Sequence, residues 1–405
     1  MSKEVQLNST VYRPSDFNIE SGIKLFNCGS FGMVPKSVHN SRVNWLKLIE
    51  SHPDVYMSDR RLELLESRVQ PLAEYIGAPL KDTVFVTNTT QGVVHVLETM
   101  GLKPGDLVVY SNVTYGPIKT LLEQLKKNKG IELYELDYNV EDDDTLINYY
   151  KSEFDNFEKL GKIPKLALVD AVSSNPGLIL PYERLTKLIQ SYGTQVFVDG
   201  AHVFGQVKAN VSAFKPDYFV TNIHKWGYCF RGTAILYISP QHQAKIQNFV
   251  TTLGYDSNNL RIKFNWFGTI DFSNWYSAAD GLEYRKKVGD DLIYDYNHKL
   301  AVLGGDYVAN LLGTKVLGSL SQIGFMANIE LPINEPGSIE LQEELEQYIL
   351  KEYGVRLRLF HFKGKWYARL SAQLHLNYDD FKFAGKALKE TFDNYRLKAF
   401  TKGKL

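Results

Sequence analysis

Cysteine is nearly absent: 405 residues contain two, Cys28 and Cys229. So few exclude a disulfide framework and fit a reducing compartment. Net charge is absent too, with 46 Lys and Arg against 46 Asp and Glu. No global field therefore draws the chain toward nucleic acid or an anionic membrane, and no basic cluster dominates. No run approaches the roughly 18 apolar residues that cross a bilayer. The opening MSKEVQLNST has neither the apolar core of a signal peptide nor an Arg-rich amphipathic stretch. Internal repeats and low-complexity tracts are missing as well. The expectation is a soluble, cytoplasmic protein with small-molecule partners and without metal, nucleic-acid or membrane partners.

What is present begins with length, enough for about two or three packed units. Between Thr83 and Ser239 the apolar runs TVFVT, DLVVYS, IELYELD, KLALVDAV, TQVFVD, DYFVTN and TAILYIS recur among helical patterns. Runs this apolar predict strands buried on both faces. One intervening helix is predicted over 182–192, where Leu185, Leu188, Ile189 and Tyr192 share a face. Alternation of this kind predicts an α/β fold with a doubly wound, mostly parallel sheet. Before it, Leu62, Leu65, Val69, Leu72 and Ile76 form the inner face of a helix placed to pack on the sheet edge. After about Arg285, longer helices, the strand WYARLSAQL and a helix with Phe381, Ala384, Leu388 and Phe392 inward indicate a smaller α+β domain. The division expected is an N-terminal arm over 1–30 joining the small domain, a large domain over 31–285 and the small C-terminal domain over 286–405. The acidic run from Glu141 to Asp144 reads as a solvated loop.

Ligands on doubly wound sheets sit beyond the carboxyl ends of strands, so polar residues directly after each apolar run are the candidates. Lys225 follows DYFVTN, in a His-Lys pair. A lysine with a lowered pKa forms an imine with an aldehyde cofactor, although a loop lysine taken singly is ordinary surface chemistry. Asp199 ends TQVFVD, where a carboxylate is costly to bury unless it meets a cation or strong donor. A protonated pyridine nitrogen is such a partner, and the pair makes the ring an electron sink. His202 is three residues on, within reach of a phenolic ring oxygen, or satisfied within the core. Thr89, Thr90, Gln91 and Gly92 follow TVFVT and open a helix bearing Val93, Val96, Leu97 and Met100. Hydroxyls and unpaired N–H groups there make a phosphate site, or plain helix capping. Tyr115 follows DLVVYS, placed either to stack on a ring or to sit in a turn. Together the strand ends offer an imine-forming amine, a carboxylate, phosphate donors and a stacking ring.

The stretches FNCGSFGMVP, TNTTQGV, VDGAH, TNIHKW, GTIDFS and RLSAQLHLN resemble the class V aminotransferase family of fold-type I pyridoxal-phosphate enzymes, over roughly Leu25 to Asn377. The similarity is closer to the branch of isopenicillin N epimerase-like proteins, cysteine desulfhydrases and hercynylcysteine sulfoxide lyases. The resemblance implies a large domain built on a seven-stranded, mostly parallel sheet. It implies pyridoxal 5'-phosphate held by Lys225 as a Schiff base, Asp199 on the pyridine nitrogen and His202 on the phenolic oxygen. It places Thr89, Thr90, Asn222 and His224 on the phosphate, and puts Tyr115 where relatives carry a stacking aromatic or histidine. Gly268 and Thr269 match a Gly-Thr pair that reaches the other subunit's phosphate, implying a homodimer with shared sites. Arg369 matches the clamp for a substrate α-carboxylate, and a guanidinium fork suits that task. Asn27, Gly29 and Ser30 would line the same pocket.

Such cofactors serve epimerisation, β-elimination and transamination alike, with the freed Lys225 as general base in each. Desulfurases that form a persulfide need a cysteine late in the chain, and none follows Cys229. Cys229 reads as a packing thiol, whereas Cys28 lies in the arm. The segment SSNPGLILPYERL, with Ser174, Asn175, Pro176 and Gly177, resembles the carbon-sulfur lyases near the phenolic side of the ring. β-Elimination from a cysteine derivative, releasing pyruvate and ammonia, is therefore favoured, in its sharpest form as hercynylcysteine sulfoxide lyase in ergothioneine biosynthesis. Phe31, Trp266, Phe267 and Phe272 are candidates to cradle a cationic betaine, or are core. The alternatives are an epimerase or aminotransferase, and a non-enzymatic binding or regulatory protein on the same fold.

Overall fold

Each of the seven apolar runs becomes a strand of one sheet. The computed structural model describes residues 11–140 and 142–401, so the opening MSKEVQLNST and Glu141 lie outside the described residues. Two compact units result: 32–174 with 180–286 form the larger, and the described residues up to Phe31, Asn175–Ile179 and those from Lys287 on form the smaller. Among the described residues no helix is long and apolar enough to cross a membrane.

In the large unit the strands are β1 (Thr83–Val86), β2 (Leu107–Ser111), β3 (Glu132–Leu136), β4 (Leu166–Asp170), β5 (Gln195–Asp199), β6 (Tyr218–Asn222) and β7 (Ala234–Ile238). Their order is β1-β7-β6-β5-β4-β2-β3. All pairings are parallel except those of β7, which runs antiparallel to both its neighbours. The expected α/β class with a mostly parallel seven-stranded sheet is what the chain adopts. Residues two apart share a sheet face, so Val84 and Val86, Leu166 and Leu168, and Leu236 and Ile238 enter one core with Val93, Val96 and Leu97.

The helices around this sheet include α1 (Arg61–Tyr75), α2 (Thr89–Thr99), α3 (Gly116–Lys129), α4 (Tyr182–Gln190) and the single turn α5 (Ile223–Trp226). Helix α1 packs on the edge strand β1, but turned slightly from the expected face: Leu64 is buried and Leu62 exposed. Strand β3 departs from the expectation of burial on both faces, because it is the opposite edge, and Glu132, Tyr134 and Glu135 are largely at the surface. The acidic run departs as well. Asp142 caps a helix over Asp143–Lys159, its Oδ1 accepting from the Asp144 and Thr145 N–H groups at 3.0 Å. Carboxylates at a helix start meet unpaired N–H groups and the positive end of the dipole.

The small unit holds an antiparallel sheet of β8 (Met326–Glu330), β9 (Arg358–Phe362) and β10 (Lys365–Ser371), in the order β9-β10-β8. The long helices α6 (Asp290–Leu312) and α7 (Tyr378–Thr401) accompany it. Phe381, Ala384, Leu388 and Phe392 of α7 are fully buried. Arm residues Lys24 and Leu25 pair in parallel with Val355 and Arg356 of this unit.

Candidate active site

Strand β6 ends at Asn222, and α5 turns at once to carry His224 and Lys225. Ile223 and Trp226 are both fully buried and anchor the turn. Lys225 Nζ lies 2.9 Å from His202 Nε2, within hydrogen-bond distance. Gly32 takes φ +65° against this turn, and a Cβ there would overlap the His224 carbonyl oxygen. Only glycine tolerates both the backbone angle and the approach.

Asp199 closes β5 and is partly exposed. Its Oδ1 accepts the Ala201 N–H at 2.9 Å. Burial raises its pKa, while the Ala201 bond and the Lys225 cation oppose the rise. The neighbouring β4 ends in register on Asp170, whose carboxyl is pushed well above the usual carboxylate range by burial and by Asp199. Thr114 Oγ1 donates to Asp170 Oδ2 at 3.0 Å. Tyr115 follows Thr114, directly precedes α3, and is 46% exposed, so an aromatic face stands open next to a buried anchor.

At the start of α2, Asn88 caps the helix by accepting the Gln91 N–H at 2.9 Å. The Thr89 N–H donates to Asn222 Oδ1 at 3.0 Å, which ties this helix start to the end of β6. Thr89 Oγ1 is buried without a hydrogen-bond partner, and Thr90 follows it in the first turn. His224 Nδ1 donates to the Thr233 carbonyl at 3.3 Å. Burial, aided by Lys225, lowers the His224 pKa to about 4.

Asp199 senses the Lys225 cation, and the strand-end residues Thr89, Asn222, His224, Lys225 and His202 are thus joined by hydrogen bonds or adjacent backbone. Gly268 and Thr269 are not: among the described residues no hydrogen bond links them to this group. Gly268 takes φ +91° and Thr269 is exposed. Asp170, Thr114 and Gly32 went unnamed in the sequence reading. The signal for Asp170 was there, a carboxylate closing LALVD as Asp199 closes VFVD.

The small unit gathers the other candidates. Arg369, on β10, is 1% exposed, and its Nη2 donates to Asn27 Oδ1 at 3.0 Å and to Ser30 Oγ at 2.8 Å. The Gly29 N–H donates to Ser371 Oγ at 3.1 Å. A Cβ on Gly177 would press on the Met326 and Arg369 side chains, so the 175–177 segment packs against the guanidinium stem. Asn175 Oδ1 is buried without a partner. Cys28 and Cys229 are free and buried; burial pushes the Cys28 thiol up to about 12 and raises Cys229 as well.

Of the two readings of the aromatics, the core alternative holds for three. Phe272 is fully buried, Phe267 packs on His95 and Trp275, and the Trp266 face is covered by the Arg61 guanidinium at 4.4 Å. These three rings stabilise the large unit, and Phe31 alone is broadly exposed, at 63%.

Comparison with known proteins agrees with this geometry. The sequence profile described as aminotransferase class V matches residues 51–358. The chain is 28% identical to hercynylcysteine sulfoxide lyase of Schizosaccharomyces pombe over 90% of its own length and 93% of that protein. It is 27% identical to an L-cysteine desulfhydrase of Arabidopsis thaliana, over 92% and 88%. A cysteine desulfurase from Thermococcus onnurineus NA1 shares the fold with a TM-score of 0.77 at 20% identity, over 94% of this chain and 96% of that one. The cystine C-S lyase C-DES, solved with cysteine persulfide, does so at 0.71 and 16%, over 96% and 99%. The match spans most of the sheet and its strand ends, and the chain belongs to the class V aminotransferase family, whose cofactor is pyridoxal phosphate.

Proposed function

We propose that the chain is a carbon-sulfur lyase performing β-elimination on a cysteine-derived amino acid. Its sharpest form is cleavage of hercynylcysteine sulfoxide in ergothioneine biosynthesis, supported by the similarity to the Schizosaccharomyces pombe enzyme along nearly the full length of both chains. The observation that carries the sulfur chemistry is the state of the thiols. Both are buried and held protonated, so neither is a nucleophile for sulfur transfer onto the protein, and sulfur leaves as a free product.

The residues present fit the cofactor. Thr89 Oγ1 is a buried oxygen without a partner, and with Thr90, Asn222 and His224 it would hold the phosphate. An added dianion beside His224 would offset the burial that keeps this imidazole neutral and let Nε2 donate. Asp199 would face the pyridine nitrogen, Tyr115 the ring, and His202 and Asn175 the phenolic side. When bound, pyridoxal phosphate supplies an electron sink for the charge left at the substrate Cα once its proton is gone.

Lys225 Nζ is the proposed base that removes the Cα proton, and His202 Nε2 holds that amine at 2.9 Å. The β carbon-sulfur bond then breaks with its electron pair on sulfur, and water completes the release of pyruvate and ammonia. Arg369 would take the substrate α-carboxylate, which its guanidinium fork can clasp bidentately; its Nη2 already meets the Asn27 and Ser30 oxygens of the arm. Gly268 and Thr269 would reach the phosphate held by a second copy of the chain, making the protein a homodimer. Cytoplasmic location belongs to the same proposal, supported by two free cysteines. Incubation with cysteine conjugates should yield equimolar pyruvate, ammonia and sulfur product. Deuterium uptake at Cα with inversion and no pyruvate would instead identify an epimerase.

A further inference from the structure

A second carboxyl lies beside Asp199, and the reading above gives it no task. Asp170 and Asp199 close adjacent parallel strands in register. Side chains so placed leave the same face of the sheet, on strands about 4.8 Å apart. Asp170 is buried. The groups facing it come from several elements. Thr114 donates to Oδ2 at 3.0 Å, Asp199 presents like charge, and Lys119 of α3 is the nearby cation. Tyr150 lies close enough to sense it. Lys119 is already engaged, donating to the Asn112 carbonyl at 2.8 Å and to Glu135 at 2.5 Å. Asp199, by contrast, has the Ala201 N–H and faces Lys225.

Two carboxyls at adjoining strand ends, one buried and the other only partly exposed, resist joint ionisation, and the proton settles on the more deeply buried one. We infer that Asp170 is a positioning residue that keeps its proton, so that the pair carries a single negative charge resting on Asp199, while its bond to Thr114 fixes the turn presenting Tyr115. The inference rests on the proposal that Asp199 partners the pyridine nitrogen. One cation is then met by one anion, whereas a second buried anion would remain uncompensated.

The test uses the protein loaded with pyridoxal phosphate, as wild type, Asp170→Asn and Asp170→Ala. Infrared difference spectra at pH 7 should show a protonated-carboxyl carbonyl band, moved by deuterium, that Asp170→Asn removes. Asparagine is a neutral, hydrogen-bonding isostere, so cofactor affinity should stay within about threefold of wild type. Asp170→Ala leaves Thr114 without its partner and should weaken cofactor binding about tenfold. Loss of carboxylate bands in Asp170→Asn, with no protonated band lost, would overturn the inference. If neither variant folds, wild type labelled at the aspartate carboxyl carbons gives the same answer by NMR. One carbon should keep the acid's chemical shift through neutral pH, and a set all ionised at pH 7 would refute the proposal. The band and the shift are also read in the unloaded chain. Failure to bind pyridoxal phosphate would therefore strike the functional proposal and leave this measurement standing.

Discussion

The candidate-site residues of the two units include charged groups of opposite sign, and these are satisfied by different means. In the large unit Asp170 and Asp199 close neighbouring strands, and burial raises the pKa of both. A carboxyl in that position can relieve its own burden by taking a proton. In the small unit Arg369 is almost wholly buried and cannot lose its charge. It must be met where it stands, and its Nη2 donates to the Asn27 and Ser30 oxygens. An adjustable acid suits partnership with a ring nitrogen that itself titrates. A fixed cation suits a substrate carboxylate that does not.

The comparison breaks most sharply at Lys225. Lys225→Ala should lower turnover by about 10⁴-fold or more and abolish the visible band of the bound cofactor. A steady-state assay with a spectrum of the same sample checks both. Arg369→Ala should cut kcat/KM by about 10²–10³-fold, the loss of a charge-assisted pair, with cofactor affinity unchanged. Arg369→Lys should recover only part, because the planar fork is missing. An effect of equal size on cofactor binding would erase the division of labour between the units.

Gly32→Ala puts a Cβ on the His224 carbonyl oxygen at positive φ. It should cost about 3 kcal/mol in urea unfolding, and Phe31→Ala, one residue away, much less. The smallest effect concerns pH. His375 in the small unit, like His95 and His224 in the large one, is lowered to about 4 by burial. A histidine lowered in the folded state contributes fully above pH 6.5 and loses that contribution as pH falls toward 4. For the small unit this amounts to at most about 2 kcal/mol between pH 7 and 5. Asp170, raised well above the usual carboxylate range, acts in the opposite sense, favouring the folded state as pH falls, and offsets part of what His95 and His224 lose. Asp170→Asn should therefore steepen the dependence of the large unit, read by hydrogen exchange of peptides from each unit. Equal slopes in variant and wild type would contradict the contrast.

Much of the large unit was legible because a strand buried on both faces is an apolar run, and its polar successor marks a ligand-facing end. Lys225, Asp199 and Thr89 were singled out by that rule, and Asn222 by the family resemblance. Asp170 obeys it too, yet its meaning depends on β4 lying beside β5, and strand order is not written in a linear string. The edge position of β3 was hidden for the same reason. Gly32 was hidden because a close approach involves the backbone of a residue nearly two hundred positions away. In the small unit Arg369 meets partners 342 and 339 residues distant, and only the resemblance to a family brought them together beforehand. The aromatics stayed open between two readings because Trp, Phe and Tyr serve cores and binding faces alike.

The central claim is that Lys225 is the amine that carries the cofactor. Borohydride reduction of the pyridoxal-phosphate-loaded protein, followed by proteolysis and mass spectrometry, should place the pyridoxyl mass on the peptide containing His224 and Lys225. Its appearance on any other lysine, with that peptide unmodified, would contradict the account.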